Sequence, residues 1–359
     1  MGFRYIGNKT QILDNILAHI ERLVPRGGRV ADLMCGTGSV ALALRRSGYQ
    51  VTAADVMTFS YHHARVGLLF TSVPTFRGAR NFINERLPKS DRRVSSDSPY
   101  TNILKVLNRV PQRKGYFWRE FSLEGAPNHT NHPRNYFSPA NATRIDGMRY
   151  WISKLRRESR INSLEHSLLL HDLIMAANDV ANIAGTYGHY LSKLIGRSRS
   201  AIELKPTDVF IRSDSGNHIV LKGYAEGLAE SIKCDLCYID PPYMKRQYAA
   251  NYHLLETLAR EDCPTAIGVS GLRPWRDQYS NFCTKTKIFD SFRSIVTKMK
   301  CRKYLISYSE DGLIDIADLR KTFSEFGSTR VYRFKNKRFK SNNSKLPSSV
   351  TEYIIQLVI

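Results

Sequence analysis

Apolar residues recur at helical spacing over residues 10–24, TQILDNILAHIERLV, where Ile12, Leu13, Ile16, Leu17, Ile20, Leu23 and Val24 share a face. Pro25 and glycines 27 and 28 end that helix. The period then changes. Residues 29–33 read as a short strand, 35–38 as a glycine loop, 39–47 as a helix and 50–54 as a second strand. Strand, helix and strand at this spacing predict parallel pairing with a helical crossover. The same alternation returns late in the chain. NHIVLKGYA (217–225) and DLCYID (235–240) read as strands, 251–260 and 288–299 as helices. A strand over 302–309, a helix over 315–325 and strands over 328–335 and 350–358 close the pattern. The basic link FKNKRFKSNNSKLPSS between the last two strands reads as a loop.

Between about 72 and 200 the alternation fades. RRVSSDSPY (92–100) and EGAPNHTNHPRNYFSPANA (124–142) read as loops, and 143–195 carries mostly helical patterns. The chain is therefore expected to hold one α/β domain, built from residues 1–71 and 201–359, interrupted by a mostly helical insertion over 72–200. No internal repeat is evident.

Charge narrows the function. The chain has 359 residues, of which 42% are hydrophobic, and 54 Lys and Arg stand against 32 Asp and Glu, for a formal net charge of +22. Such an excess favours a polyanionic partner, most often nucleic acid. Within 77–160 there are 18 Lys and Arg against seven acids. No apolar run reaches the length of about 18 residues that a membrane span needs. The start, Met1 to Tyr5, lacks the pattern of a secretory signal. The six cysteines are scattered, which fits a reducing cytoplasm. Cys234 and Cys237 form a C-x-x-C without a second pair, and Cys237 lies in an apolar run. They are expected to be core thiols. His129 and His132 sit in a polar loop without an acid or cysteine at ligand spacing, so no metal is expected.

Two motifs carry candidate chemistry. Gly36-Thr37-Gly38-Ser39-Val40-Ala41 fits G-x-G-x-x-(G/A) between a strand and a helix, where glycines let the backbone approach a nucleotide-like ligand. Asp55 ends the next strand and can accept hydrogen bonds from ribose hydroxyls. The loop alone is shared by nicotinamide enzymes, flavin enzymes and methyltransferases. Asp32, on the strand before the loop, favours a cationic α-amino group over a pyrophosphate, and so S-adenosylmethionine. A hydrogen bond to a helix terminus is the plainer reading of Asp32. Lys9, near the first helix, is expected to meet the ligand's carboxylate with Tyr5 packed beside it; a surface lysine and a helix-packing tyrosine are the alternative.

The second motif is Asp240-Pro241-Pro242-Tyr243, directly after the apolar run Leu236–Ile239. An exocyclic amino nitrogen is a poor nucleophile because its lone pair is conjugated with the base ring. Hydrogen-bond acceptors on the amino group turn the lone pair out of the ring. Asp240 offers a carboxylate, Pro241 a carbonyl held in a fixed direction, and Tyr243 a stacking face. Orientation and electrostatics would carry the catalysis. A base in a duplex would have to flip out first. The alternative is a strand-ending turn with an aromatic plug.

With these motifs in this order, the chain resembles the alpha-group (Dam-like, D12 class) N6-adenine-specific DNA methyltransferases of type II restriction-modification systems. Tyr5-Ile6-Gly7-Asn8-Lys9 resembles the family's N-terminal cofactor motif, Asp32-Leu33-Met34-Cys35-Gly36-Thr37-Gly38 its main cofactor motif, and Asp240-Pro241-Pro242-Tyr243 its catalytic motif in the adenine variant. The stretch RQYAANYHLLET (246–257) is similar to a subgroup of type II modification methylases. The resemblance implies a Rossmann-like class I S-adenosylmethionine-dependent methyltransferase fold: a seven-stranded mixed sheet with helices on both faces. It also implies S-adenosylmethionine as methyl donor, double-stranded DNA as substrate, a target-recognition role for 72–200, and a cognate restriction endonuclease as genetic partner. Tyr116, Phe117, Trp118, Tyr136 and Phe137 add aromatics to that basic insertion. The cluster Arg333, Lys335, Lys337, Arg338, Lys340 and Lys345 suits DNA backbone contact, or is a solvated hairpin. Two positions depart from the family. Gly223-Tyr224-Ala225-Glu226 stands where a Gly-Asp-Ala-like stretch is common, and Met244 follows the catalytic tyrosine. N4-cytosine or RNA amino methylation, a non-catalytic DNA-binding protein and a nicotinamide dehydrogenase remain alternatives.

Overall fold

Four of the five positions of strand β1 (Arg29–Leu33) are buried, as are all four of β4 (Leu236–Ile239). Strands covered on both faces belong at the centre of a parallel sheet. The computed structural model, which describes residue 9 and residues 12–88, 97–211, 217–337, 347 and 349–359, places them there. Around them stand β2 (Gln50–Asp55), β3 (Ile219–Lys222), β5 (Lys303–Ser309), β6 (Ser328–Lys337) and β7 (Ser349–Val358). The order is β3-β2-β1-β4-β5-β7-β6. The first five strands in this order pair in parallel, and β7 runs antiparallel to both β5 and β6. This is the seven-stranded mixed sheet expected of the Rossmann-like methyltransferase fold.

The chain moves outward from β1 to β2 and β3, then returns to β4 on the other side. The strand ends on either side of that reversal leave a crevice at the carboxyl edge, where open α/β sheets take their ligands. Alternation along the strands divides the sheet's faces. Ala31, Leu33, Cys237, Ile239, Tyr304, Ile306 and Leu357 join Phe292, Ile295, Leu319 and Phe323 in one core cluster. Those four belong to the helices Ile288–Lys298 and Ile316–Ser324. The helix Ser39–Arg46 is the crossover between β1 and β2, and Leu13–Leu23 buries Ile16, His19 and Ile20. A helix over Thr58–Leu68, absent from the periodicity reading, follows β2 and buries both His62 and His63.

The sheet belongs to one of two compact units, made of Tyr5–Leu68, Asp214–Asn251 and Arg276–Ile359. The other comprises Leu69–Ser213 and Tyr252–Trp275. Residues 252–275 thus pack with the insertion, although they follow β4 in sequence: helix His253–Arg260 lies against Ser163–Val180, and His253 Nε2 is 3.1 Å from the Tyr187 carbonyl.

Local signals account for the helices of that second unit. Ser138 precedes Pro139 and caps Pro139–Arg157 by accepting from the Asn141 amide. Asn162 and Glu165 form a reciprocal capping box that starts Ser163–Val180. The helical reading of 143–195 fails beyond Val180, because residues 181–195 contain no helix. There the Asn182 side chain donates to the carbonyls of Asn135 and Leu191 and accepts from the Ile195 amide, offering the backbone partners that compete with a helix. Tyr116, Phe117, Tyr136 and Phe137 are buried and Trp118 is half-buried, so these aromatics are chiefly core residues rather than stacking surfaces. Cys234 and Cys237 are buried free thiols. Among the described residues no helix is long and apolar enough to cross a membrane.

Arg134, fully buried, pairs with buried Glu120 at 2.8 Å and donates to the carbonyls of Ala266 and Gly268. Replacing Arg134 with Met takes from buried Glu120 its buried cation, leaving only the more exposed Arg119 at 3.1 Å, and strips the Ala266 and Gly268 carbonyls of their donor. The expected cost is about 3–5 kcal/mol, read from urea unfolding; an unchanged midpoint would contradict this account of the unit's core.

Candidate active site

Every residue of the site lies within the unit that holds the sheet: on β1, β2 and β4 or just after their carboxyl ends, ahead of the first helix at Lys9, near the start of β7, or in the segments around Tyr248 and over 278–280. The turn after β1 is tight. Met34, Gly36 and Gly38 all have positive φ, at 63°, 52° and 74°. The Cys35 amide donates to the Ala54 carbonyl at 2.9 Å, tying the turn to β2. Asp55 closes it from the other side. Its Oδ2 accepts from the Gly36 amide and its Oδ1 from the Met57 amide, both at 2.8 Å. Asp55 is therefore the organiser of the glycine loop as well as a carboxylate facing the cavity.

Gly38 has a different task from Gly36. It does not line the cavity; a Cβ built on it would stand 3.4 Å from the Ala64 backbone of the next helix. Its left-handed backbone starts the helix Ser39–Arg46.

The cavity has a volume of about 780 Å³ counted to its open mouth, and Lys9, Asp32, Gly36, Asp55, Asp240, Pro241, Pro242 and Tyr243 all line it. Tyr5 lies outside the described residues. Sequence reasoning did not find Val56, Met57, Tyr248, Gln278 or Ser280, which complete the wall. They are ordinary residue types whose place depends on how the chain returns to the sheet edge. Gln278 donates to the Val56 carbonyl at 2.8 Å, and Gln247 exchanges two hydrogen bonds with the Ser280 backbone. These contacts fix the loop that follows the D-P-P-Y turn. Glu226, half-buried, and Met244, 39% exposed, do not line the cavity.

Three carboxyl groups share this space, each in a different electrostatic state. Asp32 is 1% exposed, and its Oδ2 has no hydrogen-bond partner within the protein. Burial first, then Asp240 and Asp55, holds its carboxyl well above the usual range. Asp240 is pushed up to about 6 by burial, against the pull of Lys9. Lys9 is 4% exposed, and its ammonium sits 3.2 Å from Asp240 Oδ1 and 3.2 Å from Glu352 Oε2. Burial alone would lower its pKa, but the two carboxylates more than offset it. The sequence reading sets Lys9 against the ligand's carboxylate; in the structure its ammonium bridges two carboxylates of the chain.

Tyr243 packs edge-on to Tyr308, with ring centroids 6.2 Å apart, and its ring lies 5.5 Å from the Lys9 ammonium. The Leu313 amide donates to the Tyr243 carbonyl at 3.0 Å, anchoring the end of the D-P-P-Y turn. Behind it, Tyr238 and Ser307 share a buried 2.8 Å hydrogen bond across β4 and β5. The donor set suits a cation near Asp32 and a polar, hydrogen-donating group near Asp240. Among the described residues no group of His, Cys, Asp and Glu is arranged to hold a metal ion. Arg333 and Lys335 of the basic tail cluster lie on β6, as does the backbone of Lys337, while Arg338, Lys340 and Lys345 fall outside the described residues.

Known proteins match most of the chain. A family model described as D12 class N6 adenine-specific DNA methyltransferase matches residues 5–322. Type II methyltransferase M.FokI of Planomicrobium okeanokoites is 33% identical over 99% of this chain and 52% of its own length. Modification methylase StsI of Streptococcus sanguinis is 29% identical over 99% of this chain and 51% of its own. Type II methyltransferase M.NlaIII of Neisseria lactamica is 28% identical over 98% of this chain and 97% of its own. The chain thus spans about half the length of the first two relatives and nearly all of the third.

Gly38→Val places a β-branched residue in the left-handed region against Ala64. The expected loss is about 1–2 kcal/mol of unfolding free energy, measured by chemical denaturation; full stability in the variant would show that the turn tolerates a side chain.

Proposed function

The chain belongs to the D12 class N6 adenine-specific DNA methyltransferase family, and we propose that it transfers a methyl group from S-adenosylmethionine to the N6 amino group of adenine in double-stranded DNA. The observation that carries this reading is the D-P-P-Y turn, whose carboxylate lines the same cavity as Asp32, one oxygen of which has no hydrogen-bond partner within the protein. S-adenosylmethionine supplies the methyl group as a sulfonium, and its ammonium suits the Asp32 carboxylate. Asp55, which lines the cavity, is the carboxylate that accepts the ribose hydroxyls. Gly36 lets the main chain approach the ligand.

On the substrate side, the Asp240 carboxylate and the Pro241 carbonyl accept the two amino hydrogens. The nitrogen lone pair turns out of the ring toward the donor. As the carbon–nitrogen bond forms, the carbon–sulfur bond breaks and the sulfonium becomes a neutral thioether. The nitrogen then carries the positive charge and loses one proton, and Asp240 is the carboxylate positioned to receive it. Tyr243 stacks on the adenine. Reaching an adenine in duplex DNA requires flipping it, at a cost of a few kcal/mol.

The insertion over 72–200 is the target-recognition element in this reading. Its Arg113 and Lys114 are exposed and stand 3.9 and 4.6 Å from the ring centroids of Tyr150 and Trp118. Such residues suit phosphate contact. The type II names of the relatives support a restriction endonuclease as genetic partner, and an intracellular site of action follows from a DNA substrate.

The test is transfer of labelled methyl groups to double-stranded DNA and, in parallel, to RNA. Label in DNA is expected; label in RNA alone would overturn the substrate assignment. Asp240→Ala should lower kcat by about 10²–10³-fold while calorimetric binding of S-adenosylmethionine persists. The ionised carboxylate is the acceptor, and its pKa is raised to about 6. Activity is therefore full above that value and lost as pH falls through it. A rate flat down to pH 4 would remove Asp240 from the reaction.

A further inference from the structure

Glu352 lies beyond residues 5–322, the range that matches the family model, and no sequence motif contains it. It reaches the site because β7 is antiparallel. The carboxyl edge of the sheet therefore meets the start of β7, and the register pairs Glu352 with Ser309, the last residue of β5. Glu352 is 8% exposed. Its Oε2 lies 3.2 Å from the Lys9 ammonium, the same separation as Asp240 Oδ1 on the other side.

A buried lysine needs one carboxylate for charge balance, and Asp240 already supplies it. A second buried carboxylate costs desolvation energy that the fold does not require. What it changes is the charge and freedom of the catalytic end. Lys9 and Asp240 alone sum to zero; with Glu352 the group carries one net negative charge. During transfer, positive charge moves from sulfur to the amino nitrogen, toward Asp240. A neutral pair attracts that charge weakly, and a net negative group attracts it more strongly. Lys9, held from two sides, is also kept on Oδ1, so the other Asp240 oxygen faces the amino group.

We propose that Glu352 is a positioning residue for methyl transfer, acting through Lys9 to hold Asp240 in place and keep its end of the cavity net negative. This rests on the methyl-transfer reading above. Asp240 also interacts electrostatically with Asp32 from β1, Tyr238 from β4 and Tyr243 beyond it. The test leaves all of these unchanged.

Glu352→Gln keeps the shape and removes the charge. With S-adenosylmethionine and duplex DNA, kcat should fall roughly tenfold, the loss expected for a charged hydrogen bond, with the KM for S-adenosylmethionine little changed. Because Glu352 raises the Asp240 pKa, the acid limb of the kcat profile should move to lower pH. A merely structural role would leave that limb in place. In a Lys9→Met background the same substitution should cost nothing further or restore activity, since it then removes an unpaired buried carboxylate. An unmoved limb, or an equal loss in both backgrounds, would overturn the proposal. Should Glu352→Gln fail to fold, Glu352→Asp, which keeps the charge but withdraws it from Lys9, should lower kcat in the same direction; an unchanged kcat there would also overturn it. If the unmodified protein labels no DNA, the methyl-transfer reading itself fails. If it labels DNA and Glu352→Gln matches its rate and acid limb, that reading stands and this inference falls.

Discussion

Asp32, Asp55 and Asp240 face one cavity at the carboxyl edge of a parallel sheet, and the cost of burying three carboxyl groups together shapes what surrounds them. Each is relieved differently. Asp55 accepts two backbone amides and thereby builds the glycine turn. Asp240 shares Lys9 with Glu352. Asp32 keeps one oxygen without a protein partner. A fold selected for stability alone would not leave a buried carboxyl in that state. The site is suited to a ligand that carries a cation at one end and a second positive centre near the reacting atoms. S-adenosylmethionine has both, in its ammonium and its sulfonium.

The sheet order turns this chemistry into a place. β1 and β4 are neighbours in the sheet but about 200 residues apart in sequence, and the chain reverses direction between them. The glycine turn after β1 and the D-P-P-Y turn after β4 therefore open into one crevice. The antiparallel β7 brings an acid from the end of the chain to the same edge. Position along the sequence and position at the site are nearly unrelated here, which explains both what could be read early and what could not.

The motifs were legible because their geometry is local. A glycine turn between strand and helix, an acid ending each of two strands, and two prolines after an apolar run are statements about a few adjacent residues. All seven strands lie at the stretches read as strands, and the helix over Thr58–Leu68 was missed because the polar residues Thr58, Ser60, His62 and His63 are among those it buries, which breaks the apolar stripe. Glu352 was invisible for a physical reason: it meets Lys9 across 343 residues, through strand register alone. The same holds for residues 252–275, which follow the D-P-P-Y turn yet pack with the insertion. The aromatics of that insertion stood out in the sequence beside its basic residues, but a small helical unit needs a core of its own, and Phe117, Tyr136 and Phe137 form part of it.

The claim at the centre of this account is that the cavity methylates one kind of atom, the N6 nitrogen of adenine, in a defined DNA context. Modification-sensitive long-read sequencing of DNA from cells expressing the protein, checked by mass spectrometry of the nucleosides, tests it most directly. The expected result is N6-methyladenine confined to one short sequence motif and absent from cells carrying the Asp240→Ala variant. N4-methylcytosine in place of methyladenine, or unmodified DNA from cells in which the folded protein binds S-adenosylmethionine, would contradict it.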